Sequence, residues 1–409
     1  MKKRTVRGCM AAILVIMLVS TSFAAEIGNG LDLGGQMRWR IEYDGKDFDY
    51  GTAMNEMSLL RTQVNLKVTA IEDAVVYFQV QDSRNLGVNS AGLTNDTNLG
   101  VHQGYLKLKN LFGENLSLQL GRFEAPYGRM RLMGNVGWSN VGRSFDGIRV
   151  KTEGETFKAN IFILKVIERS FNTPPDHRDW KLYGIYSTFL QDRLDVFILY
   201  DWDSRKVGNN YSLARYTIGG LFKQKLESGL GYVFDAALQT GDQAADDISA
   251  YMVAGDIYYH MDSKLSKVGI GFDITSGDDD LTDDKNKWFN NLYYTAHKFR
   301  GYMDYFIADR TDGLMDLILR GTIKPFAKGS IDIDIHHFQT MEDHIDASDT
   351  TIPPGTSKAI GQELDITFTR PIQEGLGFQG GVSAFFASDE WIYDVDPAFW
   401  IYLMLTAGF

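Results

Sequence analysis

Polar and apolar residues alternate with period two along most of the chain. From Leu31 to Tyr43 the odd positions read Leu31, Leu33, Gly35, Met37, Trp39, Ile41, Tyr43, and the even positions read Asp32, Gly34, Gln36, Arg38, Arg40, Glu42. Successive side chains of a strand point to opposite faces, so this segment separates an apolar environment from a polar one. The same alternation places Arg61, Gln63, Asn65 and Lys67 opposite Val64, Leu66 and Val68. It places Asp332, Asp334 and His336 opposite Ile331, Ile333 and Ile335, and Glu363 and Asp365 opposite Leu364 and Ile366. Eighteen such segments begin near 31, 59, 74, 101, 116, 145, 156, 179, 193, 215, 229, 249, 267, 314, 330, 361, 375 and 398.

The links between them sort by length. Those after segments 2, 4, 6, 8 and 10 are brief: Glu72-Asp73, Asn110–Asn115, Gly154-Glu155, Gln191-Asp192 and Glu227-Ser228. Those after segments 1, 3, 5, 7, 9 and 13 are long: 46–58, 83–100, 125–144, 170–178, 204–214 and 277–313. Sorting of this kind puts the long loops at one end, as in outer-membrane barrels with short periplasmic turns and long outer loops. The expectation is an all-β fold: a transmembrane, antiparallel, up-and-down β-barrel of about 18 strands with long extracellular loops. Lipid satisfies no backbone hydrogen bond, so the sheet must close, with its apolar face outward. A barrel of this size leaves an aqueous lumen.

Composition agrees with that class. Aromatics make up 13% of the 409 residues and Pro only 8 residues, which excludes a disordered chain. With 41 Lys+Arg against 53 Asp+Glu the net charge is −12, so a nucleic-acid partner is not expected. Only the N-terminus holds a long apolar run, which excludes a bundle of membrane helices. Lys2, Lys3, Arg4 and Arg7 precede the apolar stretch Met10–Val19, and Ser22 and Ala24 form a small-x-small exit. That is a secretory signal peptide over 1–24, leaving one barrel domain over 25–409 in the cell outer membrane. Cleavage moves the formal charge from −12 to −16 and removes the single cysteine, Cys9, so no disulfide is expected. The last segment, Ala398–Phe409, ends on an aromatic, similar to the signal that hands barrels to their insertion machinery.

Two longer stretches carry a resemblance. Residues 118–150 hold Gly121-Arg122, Tyr127-Gly128, Trp138-Ser139-Asn140 and Gly142-Arg143-Ser144-Phe145-Asp146-Gly147. Residues 276–306 hold Gly277-Asp278-Asp279-Asp280, Lys285-Asn286, His297-Lys298-Phe299 and Gly301-Tyr302. Both resemble the alginate export family of outer-membrane porins. That resemblance implies an 18-stranded barrel and passage of a carboxylated polysaccharide through an arginine-lined constriction.

Inward cations are the candidate chemistry. Arg38, Arg40, Arg61, Lys67, Lys107, Lys109, Arg149 and Lys151 fall on the polar parity of the first six strands. A ring of such charge selects anions, and Arg grips a carboxylate through paired hydrogen bonds. Arg122 and Arg143 flank one loop, each after a glycine, and are expected to point into the pore beside Arg61, with Asp146 orienting one of them. The acids of later strands would face this basic wall. The expected cargo is anionic polysaccharide or smaller anions. A general diffusion porin is the alternative, and a barrel that mounts a surface enzyme or adhesin is a third reading. No cofactor is expected and no enzyme signature appears. Asp278 and Asp280 are loop candidates for calcium through hard carboxylate oxygens, in a spacing that lacks the glycine and terminal Glu of an EF-hand loop, and a solvated outer loop is the alternative reading. Gly375–Gly380 spells a dinucleotide fingerprint but leads into a strand pattern. His336 and His337 point to opposite faces, and His297 is the one candidate for hydrolytic chemistry. Segments 83–100 and 277–313 are long enough to enter and gate the lumen.

Overall fold

The computed structural model describes residues 25–26, 30–87, 99–113, 115–167, 179–204, 212–343, 358–392 and 394–409. The leader at 1–24 and most of the 83–100 loop lie outside the described residues. Eighteen strands of eight residues or more follow one another. The first six are β1 (Leu31–Gly45), β2 (Asn55–Ile71), β3 (Ala74–Asn85), β4 (Gly100–Leu108), β5 (Leu116–Phe123) and β6 (Phe145–Glu153). Next come β7 (Phe157–Ile167), β8 (Trp180–Phe189), β9 (Leu194–Asp203), β10 (Leu213–Lys225), β11 (Leu230–Gln243) and β12 (Asp246–His260). The last are β13 (Leu265–Thr275), β14 (Leu314–Ile323), β15 (Ser330–Gln339), β16 (Ala359–Gln373), β17 (Leu376–Ala387) and β18 (Ala398–Gly408).

Every strand pairs antiparallel with its sequence neighbours, and β18 closes on β1 from Gln36 opposite Gly408 to Gly45 opposite Phe399. Among the described residues no helix is long and apolar enough to cross a membrane. The terminal Phe409 completes the seam. Its N–H donates to the Gly35 carbonyl at 3.1 Å, and its carbonyl accepts from the Gly35 N–H at 2.9 Å. Its ring lies so close over Gly35 that a Cβ there would meet the ring at 2.4 Å, so that position takes only glycine.

Register turns the alternation into continuous bands on the outer face. Leu118, Val150, Ile161, Ile185, Ile198 and Ile218 form one row across β5–β10. Two residues nearer the long loops, Leu120, Ile148, Ile163, Tyr183, Tyr200 and Tyr216 form the next. In that row the tyrosines stack, with ring centroids 5.9 Å and 4.4 Å apart. Apolar side chains in water would gather inward; here they line the exterior because lipid is the solvent there.

The ends differ as the link lengths imply, with one departure. β11 and β12 are joined at the long-loop end by 244–245 alone, with Ala244 at φ 59°. Two long connections, 124–144 and 276–313, turn inward instead of outward. They meet inside the barrel: Leu132 accepts from the Tyr293 N–H at 2.8 Å, Tyr293 from the Gly134 N–H at 2.8 Å, and Met130 from the Thr295 N–H at 2.9 Å. Met133 and Tyr293 thereby form a parallel bridge. At Gly134 a Cβ would meet Thr295 Oγ1 at 2.0 Å, so the close approach at that position requires glycine.

A charge on the apolar band tests this orientation. Ile198→Lys should cost about 2–4 kcal/mol if the site lies near the bilayer midplane. Reversible denaturant unfolding in lipid vesicles reads that loss, and a cost near zero would mean that this face does not meet lipid.

Candidate pore constriction

The inward cations of β1 and β2 are spent on a loop. Arg38 donates to the carbonyls of Gly137, Trp138 and Ser139 at 2.6, 2.9 and 3.0 Å. Arg40 donates to the Trp138 carbonyl at 2.6 Å and to Glu42 at 2.7 Å, with its guanidinium 3.9 Å over the Trp138 ring. Arg61 reaches the Gly137 and Ser139 carbonyls at 3.2 and 3.3 Å. Three guanidiniums thus converge on one turn of 124–144, and Arg38 and Arg40 are left only 5% and 3% exposed. Charged donors to carbonyls are among the stronger hydrogen bonds, about 1.5–3 kcal/mol each.

Trp138 carries the link onward. Its ring stacks on His297 at 4.0 Å, and His297 stacks on Tyr302 at 4.9 Å while its Nδ1 lies 3.0 Å from Asp304. His297 therefore lies as an aromatic spacer between the two infolded loops, stacked between Trp138 and Tyr302.

The opposite wall is acidic and meets loop cations. Arg129 bridges Asp235 at 3.3 Å and Asp256 at 2.5 Å. Arg131 bonds to Asp273 and lies 3.5 Å from Asp235, and Arg300 approaches Asp273 at 3.5 Å. Arg320, on β14, lies 3.1 Å from Asp256. A buried carboxylate without a partner is expensive, so these acids need cations brought to them. Further along, Glu363 accepts the Met303 N–H at 2.8 Å and Asp365 the Tyr302 N–H at 3.2 Å. His336 faces inward, 2.8 Å from Asp316. His337, on the outer face, lies beside Gln339 at 3.1 Å.

The remaining expected site residues divide. Arg143 enters the lumen, donates to the Tyr294 carbonyl at 3.2 Å and sits 5.8 Å from the Tyr293 ring centre. Burial holds its proton affinity below the ordinary arginine value. Arg149 faces inward, bonds Gln119 at 2.6 Å and lies 4.7 Å from the Phe123 ring centre. Lys151 pairs with Glu153 near the short-turn end. Glu124, where β5 gives way to the loop, accepts from Asn135 at 2.9 Å and lies 2.9 Å from His102. Burial pushes its carboxyl up, but those two partners outweigh burial and hold it below the usual range.

Arg122 and Asp146 are corrected. They share the parity of Leu120 and Ile148, so both point away from the pore, with side chains 45% and 53% exposed. They pair with each other through two bonds of 2.8 and 2.5 Å. Gly121 and Gly147 hold the inward positions instead, and at both a Cβ would strike a neighbouring backbone carbonyl at 2.3 Å. The glycine before Arg122 therefore marks a tight inner wall, and strand alternation faces the arginine outward. Asp278 and Asp280 accept hydrogen bonds within their own loop, at 3.1 Å from the Asp280 N–H and 2.6 Å from Thr282. Among the described residues no group of three His, Cys, Asp or Glu side chains is placed to hold a metal.

Missing from the sequence reading were Arg129, Arg131 and Arg300. All lie on loop segments without periodicity, and their partners Asp235, Asp256 and Asp273 are on β11–β13. An inward Asp on three successive strands was the available signal.

Comparison with known proteins follows this geometry. The sequence profile described as alginate export matches residues 29–393. No curated protein matches the sequence. Among solved structures, Pseudomonas aeruginosa OpdK with vanillate superposes with a TM-score of 0.63 at 13% identity, covering 92% of this chain and 98% of that one. OprD of the same organism gives 0.61 at 12% identity over 92% and 94%. Acinetobacter baumannii OccAB4 gives 0.61 at 12% over 93% and 98%. At such identity the likeness establishes the fold.

Loosening the loop should open the lumen. Replacing Arg38 and Arg40 together by Gln is expected to raise single-channel conductance and add current noise, with the barrel still heat-resistant on gels. Arg122→Glu, by contrast, should leave ion preference unchanged. A reversal potential altered by Arg122→Glu would place that side chain in the pore after all.

Proposed function

The chain belongs to the alginate export family of outer-membrane channels, and from that premise we propose that it passes small anionic solutes and short acidic saccharides. One observation carries the reading. Among the described residues the four arginines on the acidic side, Arg129, Arg131, Arg300 and Arg320, each have a carboxylate within 4.0 Å. Arg38, Arg61, Arg143 and Arg149 rest on carbonyls, amides and rings instead. Arg40, Lys67 and Lys151 pair with Glu42, Asp32 and Glu153, but carbonyl dipoles satisfy hydrogen bonds without cancelling charge, so Arg38, Arg61, Arg143 and Arg149 leave that side a positive field. Fixed positive charge in a narrow, low-dielectric passage lowers the barrier for anions.

The same wall offers surfaces for a ring. Tyr77 and Tyr105 stack at 5.1 Å, and Tyr105 meets Phe123 edge-on at 6.5 Å. Lys107 follows Tyr105 on the inward parity of β4. Cations beside flat ring faces suit a solute that is both cyclic and carboxylated. OpdK, whose structure was solved with vanillate, supports the same size class by fold alone. Two loops folded into the lumen favour such solutes over an extended polymer.

The test is electrical. In planar bilayers under a salt gradient the reversal potential should indicate anion preference, and Lys107→Gln with Arg149→Gln should move it toward zero. Glucuronate and benzoate should carry or block current at concentrations where glucose does not. Cation preference in the wild type overturns the reading. Equal passage of charged and neutral sugars would favour a general diffusion pore, and block by long alginate chains alone would favour polymer transport.

A further inference from the structure

We infer that the outer face of β5–β9 is a docking site for a bis-phosphorylated, multiply acylated glycolipid of the surrounding leaflet. Register aligns Arg122, Asp146, Lys165, Lys181 and Trp202 into one row across five adjacent strands. That row lies directly above the tyrosine row and two residue pairs above the isoleucine row, on the same outward parity. Three cations and one carboxylate therefore stand where the apolar band ends, at the long-loop end of the barrel.

Charge and shape both bear on the occupant. The chain is acidic overall, at −12, and continuing the same row onto β10–β12 gives Ala214, Asp242 and Asp247. The cationic stretch is thus local to β5–β8. Arg122 is paired with Asp146, and Lys181 lies 2.7 Å from Asp179 and 5.8 Å from the Trp202 ring centre. The Arg122–Asp146 pair is about half exposed and the Lys181–Asp179 pair about a quarter, so a phosphate can add to Arg122 without displacing its partner and reaches Lys181 from its exposed side. Exposed ion pairs of this kind add little stability by themselves, about 0–1 kcal/mol.

Strands lie about 4.8 Å apart, so Arg122 and Lys181, three strands from each other, are separated by about 14 Å. One phosphate does not span that distance. A headgroup with two phosphates does, with one at Arg122 and the other at Lys165 and Lys181. The acyl chains would then descend over Tyr183 and Tyr200 and the isoleucines below them, where aromatic rings mark the interface of membrane barrels.

Native mass spectrometry of the full mature protein in detergent tests this, using bis-phosphoryl lipid A, monophosphoryl lipid A and phosphatidylglycerol as probes. The bis-phosphoryl lipid should bind at least about tenfold more tightly than phosphatidylglycerol, a difference of about 1.4 kcal/mol, with the monophosphoryl form between. The triple variant R122Q/K165Q/K181Q should lose that preference, and D146N should strengthen it. Equal binding of all three lipids by the wild type overturns the proposal, as does a preference that survives the triple variant. Should the triple variant not fold, K165Q and D146N decide between them: opposite shifts support the site, and unchanged binding in both removes it.

Discussion

Closure of the hydrogen-bond ladder between β1 and β18 is the constraint from which the remaining architecture follows. In lipid an open edge would leave a row of N–H and C=O groups unpaired, each costing several kcal/mol. The pairing from Gln36–Gly408 to Gly45–Phe399, completed by Phe409 against Gly35, removes that edge. Closure makes the apolar parity face outward and gathers the polar parity of the eighteen strands into one shared interior, apart from outward charges such as Arg122 and Lys165 where the apolar band ends. The interior then has to accommodate more fixed charge than the walls alone can pair.

The infolded loops answer that demand in two ways. Carbonyls of Gly137, Trp138 and Ser139 are laid on the guanidiniums of β1 and β2. Cations of the same loop, Arg129 and Arg131, reach across to the aspartates of β11–β13. One connection thus serves as acceptor for the basic wall and counter-ion for the acidic one. The second loop adds Arg300 and the backbone donors of Tyr302 and Met303. Hydrophobic burial supplements this, since Phe123, Met133, Phe289 and Tyr293 form a cluster in the middle of the barrel. Loop position and packing are for this reason coupled: the wall arginines Arg38 and Arg40 also fix where the 124–144 loop sits in the lumen.

Compensation is unequal on the two sides. Carboxylates on the β11–β13 wall meet guanidiniums and are neutralised, whereas Arg38 and Arg149 on the β1–β6 wall meet neutral dipoles and only Arg40 of these three has a carboxylate partner, Glu42. A hydrogen bond satisfies a donor's geometry, but only an opposite charge cancels its field at a distance. The proposed anion preference rests on this difference between the two walls.

The sequence by itself determined the barrel. Period-two alternation, sorted link lengths and a terminal aromatic are local properties, and lipid leaves one way of satisfying them, so strand number and the outward face of residues such as Met37 and Ile335 were legible. It also determined that Arg38, Arg40 and Arg149 share the inner face. What those side chains touch was decided only by tertiary structure, because their partners lie about a hundred positions away for Arg38 and Arg40, on segments with no periodicity. The orientation of Arg122 was a subtler matter. Near the end of β5, Arg122 keeps the outward parity of Leu118 and Leu120 and pairs with Asp146, while Gly121 holds the inner position, where no Cβ fits against the Gly104 carbonyl. A one-residue change of parity reverses which solvent a side chain meets. Such steric exclusion depends on how closely neighbouring strands approach, and that distance exists only once the barrel has closed.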